Sequence, residues 1–246
     1  MTVILSSSPC LDHVDRPVLN PANGFIDHLR EILPSNCRAL FICSDPESST
    51  LTGRFGADMA YAFANEGMPF RSYAILDGYN ADYAPELIHN SDFIILAGGH
   101  VPTQNAFFRE IRLRELLEGF SGTIMGISAG SMNAANRVYA QPEMPGESID
   151  PRYKRFLPGL GLANVNILPH YQKVKHDIID GRRLFEDVTY RDSMGNTFYA
   201  LPDGSYILTD GEETLLFGKG YRLRDGILEL LTVDGECRPL GFGSNR

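Results

Sequence analysis

Apolar residues fall into short runs separated by stretches of helical spacing, and the two alternate as far as Arg137. Residues 3–5, 38–43, 70–76, 92–97 and 123–127 are compact apolar runs bounded by turn residues, the pattern of strands buried on both faces. Between them, residues 24–33 carry Phe25, Ile26, Leu29, Ile32 and Leu33 on one helical face and stop at Pro34. Residues 52–65 repeat the pattern with Phe55, Met59, Ala62 and Phe63, and Gly67 follows as the stop. A short helix is expected over 85–89, a long one over 103–117, and another from the end of the fifth strand to about Arg137. Strands alternating with helices of this length predict an α/β fold, a doubly wound and mostly parallel sheet covered on both faces.

The last third changes style. Residues 165–168 read as a strand ending in Pro169-His170-Tyr171, and 180–190 as a helix. From Thr197 onward, short strands are punctuated by Asp203-Gly204, Asp210-Gly211, Asp225-Gly226 and Asp234-Gly235. Asp-Gly between β-rich runs is a hairpin signal, so a small antiparallel meander is expected there. No linker separates the parts. The chain reads as one domain, 1–246, with a C-terminal antiparallel β-hairpin region from about 197.

The fifth strand runs into Gly126-Ile127-Ser128-Ala129-Gly130. Gly-x-Ser-x-Gly between a strand and a helix is the form of a nucleophile elbow, which holds a serine hydroxyl clear of the backbone. The helix that follows aims its free N–H groups and positive dipole end at the place where an oxyanion would develop. The bland alternative is a glycine-rich structural turn, and the strand before and helix after favour the catalytic one. A serine nucleophile needs a general base, and the base needs an acceptor to fix its tautomer. His170 ends an apparent strand in a Pro-His-Tyr setting and is the first candidate for the base. His100, after Gly98-Gly99 at the end of the fourth strand, is the second. His13 and His28 read as surface or packing residues, His89 as a helix-end residue and His176 as solvated. Glu143 and Glu147, in the loop after the elbow helix, are the candidate acids. A metal site at His170, His176 and Asp177 lacks a second ligand cluster and is set aside.

Composition narrows the class. The chain has 246 residues, 43% of them hydrophobic, enough for a sizeable core. A formal charge of −9 argues against a nucleic-acid or anionic-membrane surface. Cys10, Cys37, Cys43 and Cys237 form no Cys-x-x-Cys pair and suit core thiols in a reducing compartment. No targeting segment or membrane span is read, so a cytoplasmic protein without a membrane partner is expected.

With these residues in view, the chain resembles the dipeptidase E (aspartyl dipeptidase) and cyanophycinase family of serine peptidases. The resemblance rests on Leu96-Ala97-Gly98-Gly99, Gly126-Ile127-Ser128-Ala129-Gly130 and Leu168-Pro169-His170-Tyr171. It implies a class I glutamine amidotransferase-like, flavodoxin-like fold and a peptidase using no cofactor or metal. The substrate would be a dipeptide or other short peptide, and the assembly a monomer or homodimer. The family pattern has Gly-Trp-Ser-Ala-Gly, an Asp-Met-Pro segment fifteen residues on, and Asn-Pro-His-Phe. By that pattern the nucleophile is Ser128, the base His170, and the acid Glu143, with Glu in place of Asp. The oxyanion donors would be the N–H groups of Gly99 and Ala129. Gly98 and His100 would lie at the substrate, His100 where the family has Asn. The arginine-bearing segment that follows the family's histidine, Thr-Arg-x-x-Arg, corresponds to Ile179-Asp180-Gly181-Arg182-Arg183. Arg183 would keep a substrate contact, and Asp180 would disfavour an acidic substrate, unless it merely caps a helix or Lys173, Lys175 or Arg152 supplies the cation. Two alternatives remain beside the peptidase: an α/β-hydrolase-type esterase or amidase, and a non-catalytic amidotransferase-like binding protein.

Overall fold

The computed structural model describes residues 1–12, 14 and 16–241; His13 lies outside the described residues. The first five strands are β1 (Thr2–Ser6), β2 (Arg38–Ile42), β3 (Ser72–Leu76), β4 (Phe93–Leu96) and β5 (Thr123–Ile127). They pair in parallel in the order β1-β5-β4-β2-β3, as the apolar runs predict. Helices α1 (Phe25–Ile32), α2 (Ser49–Asn65), α3 (Ala84–His89), α4 (Val101–Glu110), α5 (Leu113–Leu116) and α6 (Ala129–Asn133) occupy the connections. None is long and apolar enough to cross a membrane.

Strand alternation sorts the core into layers. Ile4, Ala39, Phe41, Phe93, Ile95 and Met125 face α1 and α2, against Phe25, Leu29, Ala62 and Phe63. Their neighbours Leu40, Ile42, Ile94, Leu96 and Ile124 point the other way, against Ile88, Phe107, Phe108 and Leu113 of α3 to α5. Both faces are dry, so each large side chain contributes about 1.5–3 kcal/mol of burial.

The remaining strands are β6 (Arg137–Tyr139), β7 (Phe156–Pro158), β8 (Ile167–Leu168), β9 (Ile178–Ile179), β10 (Arg182–Arg183) and β11 (Thr197–Ala200). After them come β12 (Tyr206–Thr209), β13 (Thr214–Phe217), β14 (Gly220–Arg224), β15 (Ile227–Thr232) and β16 (Cys237–Pro239). The tail is not one meander. Strands β12, β13 and β16 extend the main sheet antiparallel beyond β1. Strands β15, β14, β11 and β8 form a second sheet, in which β8 and β11 are parallel. Only two of the four Asp-Gly pairs therefore turn hairpins. Asp225 and Gly226, both at positive φ (49° and 74°), close β14–β15, and Asp210-Gly211 lies between β12 and β13. Asp203-Gly204 and Asp234-Gly235 instead carry the chain from one sheet to the other.

The helix expected over 180–190 is also absent as such. Asp180 and Gly181 take φ of 53° and 75°, the left-handed pair of a two-residue hairpin turn, and join β9 to β10. Helical chain starts only with the π-type turn Leu184–Thr189 and continues into α8 (Tyr190–Asp192). The Asp-Gly signal between Ile178-Ile179 and Arg182-Arg183 outweighs the helical spacing of the following residues.

Candidate active site

The elbow is built as its sequence requires. Ser128, between β5 and α6, has φ 49° and ψ −109°, a conformation that costs a non-glycine residue about 1–3 kcal/mol. The surroundings impose it. Ser128 donates its N–H to the Ser6 carbonyl at 3.0 Å, and Ser131 Oγ donates to the same oxygen at 2.9 Å. A Cβ on Gly126 would lie 2.5 Å from the Ser131 nitrogen, and one on Gly130 would meet the Leu96 carbonyl oxygen. The two glycines let the turn close against β4 and α6, where any side chain would collide with backbone.

His170 follows β8, begins the one-turn helix α7 (Tyr171–Val174), and is itself left-handed at φ 56°. Its Nε2 is 2.9 Å from Ser128 Oγ and its Nδ1 is 2.7 Å from Asp203 Oδ1. The carboxylate fixes the imidazole with the proton on Nδ1, leaving Nε2 free to accept the serine proton. Asp203 Oδ2 accepts further bonds from Gln172 Nε2 at 2.6 Å and Lys173 Nζ at 2.8 Å. Burial opposes the charge on Asp203, but bonds from His170 and Lys173 outweigh it and hold the carboxyl well below the usual range. Hydroxyl, imidazole and carboxylate in series are the arrangement that makes a serine nucleophilic at neutral pH.

The N–H groups of Gly99 and Ala129 lie on either side of this series, at the end of β4 and the start of α6. Among the described residues, neither donates to a protein acceptor. A side chain on Gly99 would run into that of Ser44. Behind this turn lies a buried amide cluster. Gln104 Nε2 donates to the Ala97 carbonyl at 2.7 Å, and Asn133 Nδ2 donates to Gln104 Oε1 at 3.0 Å and to the Val101 carbonyl at 3.2 Å. It ties the glycine turn to the elbow helix.

The family model for peptidase family S51 matches residues 19–217. The chain belongs to peptidase family S51. A solved structure described as a "Putative Peptidase E Protein" from Listeria monocytogenes EGD-e matches at a TM-score of 0.57 and 17% identity. That match covers 94% of this chain and 98% of the other, and it shows the shared fold. No curated protein matches the chain. Membership makes it a serine-type peptidase of the dipeptidase E kind, which sets aside the α/β-hydrolase alternative.

Within this S51 fold, several residues stand elsewhere than the sequence suggests. Glu143 does not bond His170, because Asp203 occupies Nδ1. Glu143 Oε1 instead accepts the Val101 N–H at 3.2 Å and lies 4.0 Å from His100 Nε2. The loop that follows it is held by Asp180, whose carboxylate accepts from Gly146 N–H at 2.7 Å, Ser148 N–H at 3.1 Å and Ser148 Oγ at 2.8 Å. Asp180 thus clamps the loop and caps no helix, since β10 follows it. Its carboxyl is held down by those bonds, the Gly146 N–H first. Arg183 forms a fork with Asp187, Nε to Oδ2 at 3.1 Å and Nη2 to Oδ1 at 2.7 Å, outside the cleft. His100 is spent on Thr103 Oγ1 at 2.7 Å and Glu147 Oε1 at 2.8 Å, so it braces the loop rather than facing the cleft. Gly98, by contrast, does abut the elbow: a Cβ there would be 3.4 Å from the Ile127 carbonyl and 3.5 Å from Ser128 Cβ.

The cleft at Ser128 is small, about 100 Å³, and is lined by Gly99, Val101, Met132, Pro142, Val174 and Leu184, with Glu143, Asp177 and His170 as its charged or titratable members. Among the described residues, no lysine or arginine lines it. Burial pushes the Glu143 carboxyl above the usual range despite the opposing Val101 N–H. A larger hollow of about 780 Å³ lies at the opposite ends of the strands, around Thr2, Arg38, Asp92 and Thr123. It holds the Arg38–Asp92 ion pair, and its Ser91 hydroxyl is bonded to the Leu87 carbonyl, so size does not mark the site here.

Asp203 is the residue that sequence reasoning missed. Its signal was a repeat: Leu168-Pro169-His170 and Leu201-Pro202-Asp203 follow two apolar strands. Those strands, β8 and β11, are parallel neighbours with Leu168 opposite Ala200, and Leu201 N–H donates to the Leu168 carbonyl at 2.9 Å. The same tripeptide form therefore delivers base and carboxylate to one edge.

Proposed function

We propose that the protein hydrolyses dipeptides or other short peptides through an acyl-enzyme on Ser128. His170 takes the serine proton and returns it to the leaving amine. Asp203 holds His170 and stabilises the imidazolium. The N–H groups of Gly99 and Ala129 receive the oxyanion, each worth about 2.7–4 kcal/mol at the transition state. The observation that carries this reading is the unbroken series Ser128 Oγ, His170 and Asp203 at 2.9 and 2.7 Å on a strained elbow. The small cleft supports a short substrate.

Glu143 and Asp177 give this cleft a negative character, and the nearby Lys173 ammonium is already paired with Asp203 and Asp12. An acidic side chain at the substrate's first residue would need a guanidinium or ammonium partner, which the lining lacks. A free α-amino group or a basic side chain suits Glu143 instead. The preference is therefore for neutral or basic first residues.

A fluorophosphonate should label Ser128, and labelling should vanish in Ser128→Ala and fall at least about a hundredfold in His170→Ala. Among Lys-Leu, Ala-Leu and Asp-Leu, Asp-Leu should be the poorest substrate. Glu143→Gln should narrow that gap without abolishing turnover. Equal or better hydrolysis of Asp-Leu by wild type would contradict the reading of the cleft. Failure of folded wild type to label would contradict the hydrolytic mechanism.

A further inference from the structure

The first strand, β1, runs out into Ser6-Ser7-Ser8-Pro9, which as sequence reads as a loop signal and nothing more. The structure gives its second serine an unusual position. Ser7 directly follows β1, which lies between β5, bearing the elbow, and β12, which follows Asp203. It is wholly buried. Its Oγ accepts the backbone N–H of His170 at 2.7 Å and is 2.8 Å from Asp203 Oδ1.

These two partners dictate the hydroxyl's orientation. A backbone N–H can only donate, and an ionised carboxylate can only accept. The single Ser7 proton must therefore go to Asp203 while a lone pair takes the His170 N–H. One side chain thus holds the base by its backbone and the carboxylate by the oxygen that also receives His170 Nδ1. The residue before it completes the link, because the Ser6 carbonyl accepts both the Ser128 N–H and Ser131 Oγ. Two consecutive residues connect nucleophile, base and acid, which come from positions 128, 170 and 203 of the chain.

We propose that Ser7 is a positioning residue of the peptidase: it locks His170 and Asp203 in register with Ser128. The proposal rests on the hydrolytic reading given above. Without the hydroxyl, the His170 N–H loses its acceptor and Asp203 keeps Gln172 and Lys173 on its other oxygen. The carboxylate then turns toward those partners, and the imidazole loses the orientation in which Nε2 meets Ser128. A displacement of this kind, on the order of 1 Å, costs about a hundredfold in rate.

The test is a pair of substitutions in two backgrounds. Ser7→Ala should lower kcat about tenfold to a hundredfold, with KM changed less than about threefold and labelling slowed in proportion. In an Asp203→Asn background the same change should cost a clearly smaller factor than in wild type, because the carboxylate contact of Ser7 is already gone and only its bond from the His170 N–H remains to be lost. A general packing defect would instead cost the same factor in both. Ser205→Ala is the control, since Ser205 is equally buried, accepts the Ser7 N–H on its carbonyl, and has a hydroxyl without a protein partner. Its kcat should stay within about twofold of wild type. Should Ser7→Ala fail to fold, Ser7→Cys keeps the volume with a weak donor and should show an intermediate loss. Retention of more than half the wild-type kcat, or multiplicative losses with Asp203→Asn, would overturn the proposal. The downfield His170 Nδ1–H resonance gives an arm that needs no turnover. It should shift or broaden in Ser7→Ala; an unchanged resonance counts against the strut even if wild type proves inert, whereas inert wild type alone counts against the hydrolytic reading.

Discussion

Asp203 is a charged group at a nearly closed position, its side chain 9% exposed, and its carboxyl is depressed. The sign of the consequence follows by linkage. A carboxyl whose folded pKa lies below its unfolded value, about 3.9 for aspartate, adds stability that is fully present above the unfolded pKa. That stability is lost as the pH falls toward the folded pKa. The wild type should therefore exceed Asp203→Asn in stability by a constant margin down to a pH of about 5, and the margin should shrink from about pH 4 downward. Urea unfolding midpoints at pH 6, 5, 4 and 3 read this directly. A margin that stays level to pH 3 would mean that the carboxylate's charge does not contribute. The same residue shows where the sequence becomes opaque. Ser128 and His170 were legible because each ends an apolar run in a motif with its own chemistry. Asp203 was hidden by its glycine, since Asp203-Gly204 carries the form of a hairpin turn and actually bridges two sheets. Glu143 was chosen on spacing, and spacing along a loop does not say which way a carboxylate turns.

At the scale of elements, the elbow stores strain that β4 and α6 enforce. Ser128 at φ 49° would be relieved by glycine, whose extra backbone freedom costs about 0.5–1 kcal/mol against the 1–3 kcal/mol of strain. Ser128→Gly should thus be more stable than both wild type and Ser128→Ala by roughly 1 kcal/mol, while labelling no fluorophosphonate. Gly130→Ala should behave oppositely. Its new Cβ meets the Leu96 carbonyl in the middle of the sheet, where no flexible side chain can yield, so a loss of about 1–3 kcal/mol is expected. Thermal unfolding of the three variants checks both signs, and a Ser128→Gly protein less stable than Ser128→Ala would show that the turn is unstrained. The parallel strands and their helices were legible because burial on both faces leaves unbroken apolar runs. The chain from Ile178 to Asp192 was not. There a two-residue Asp180-Gly181 turn competes with helical spacing, and the turn's positive φ pair decides. The tail's strands were visible, but their division between two sheets depends on long-range pairing that a local pattern does not encode.

At the scale of the whole molecule, charge and cleft act together. The chain carries a formal −9, and the cleft adds Glu143 and Asp177 near the nucleophile without an opposing lysine or arginine in its lining among the described residues. A negative surface focused into a low-dielectric recess raises the local concentration of cationic substrates and lowers that of anionic ones. Salt screens this field, with a Debye length of about 30 Å at 0.01 M falling to about 8 Å at 0.15 M. At neutral pH, Lys-Leu carries a net charge of about +1, Ala-Leu about 0 and Asp-Leu about −1, from the ordinary pKa values of their groups. Raising the ionic strength between those limits should therefore lower kcat/KM for Lys-Leu, leave Ala-Leu nearly level and raise it for Asp-Leu. The effect belongs to encounter and binding, so KM should move more than kcat. Glu143→Gln removes one cleft charge and should flatten both slopes while keeping their signs, because the surface field remains. Slopes of the same sign for Lys-Leu and Asp-Leu would mean that salt acts on the fold or on Ser128 chemistry and that the cleft's charge plays no part in choosing the substrate.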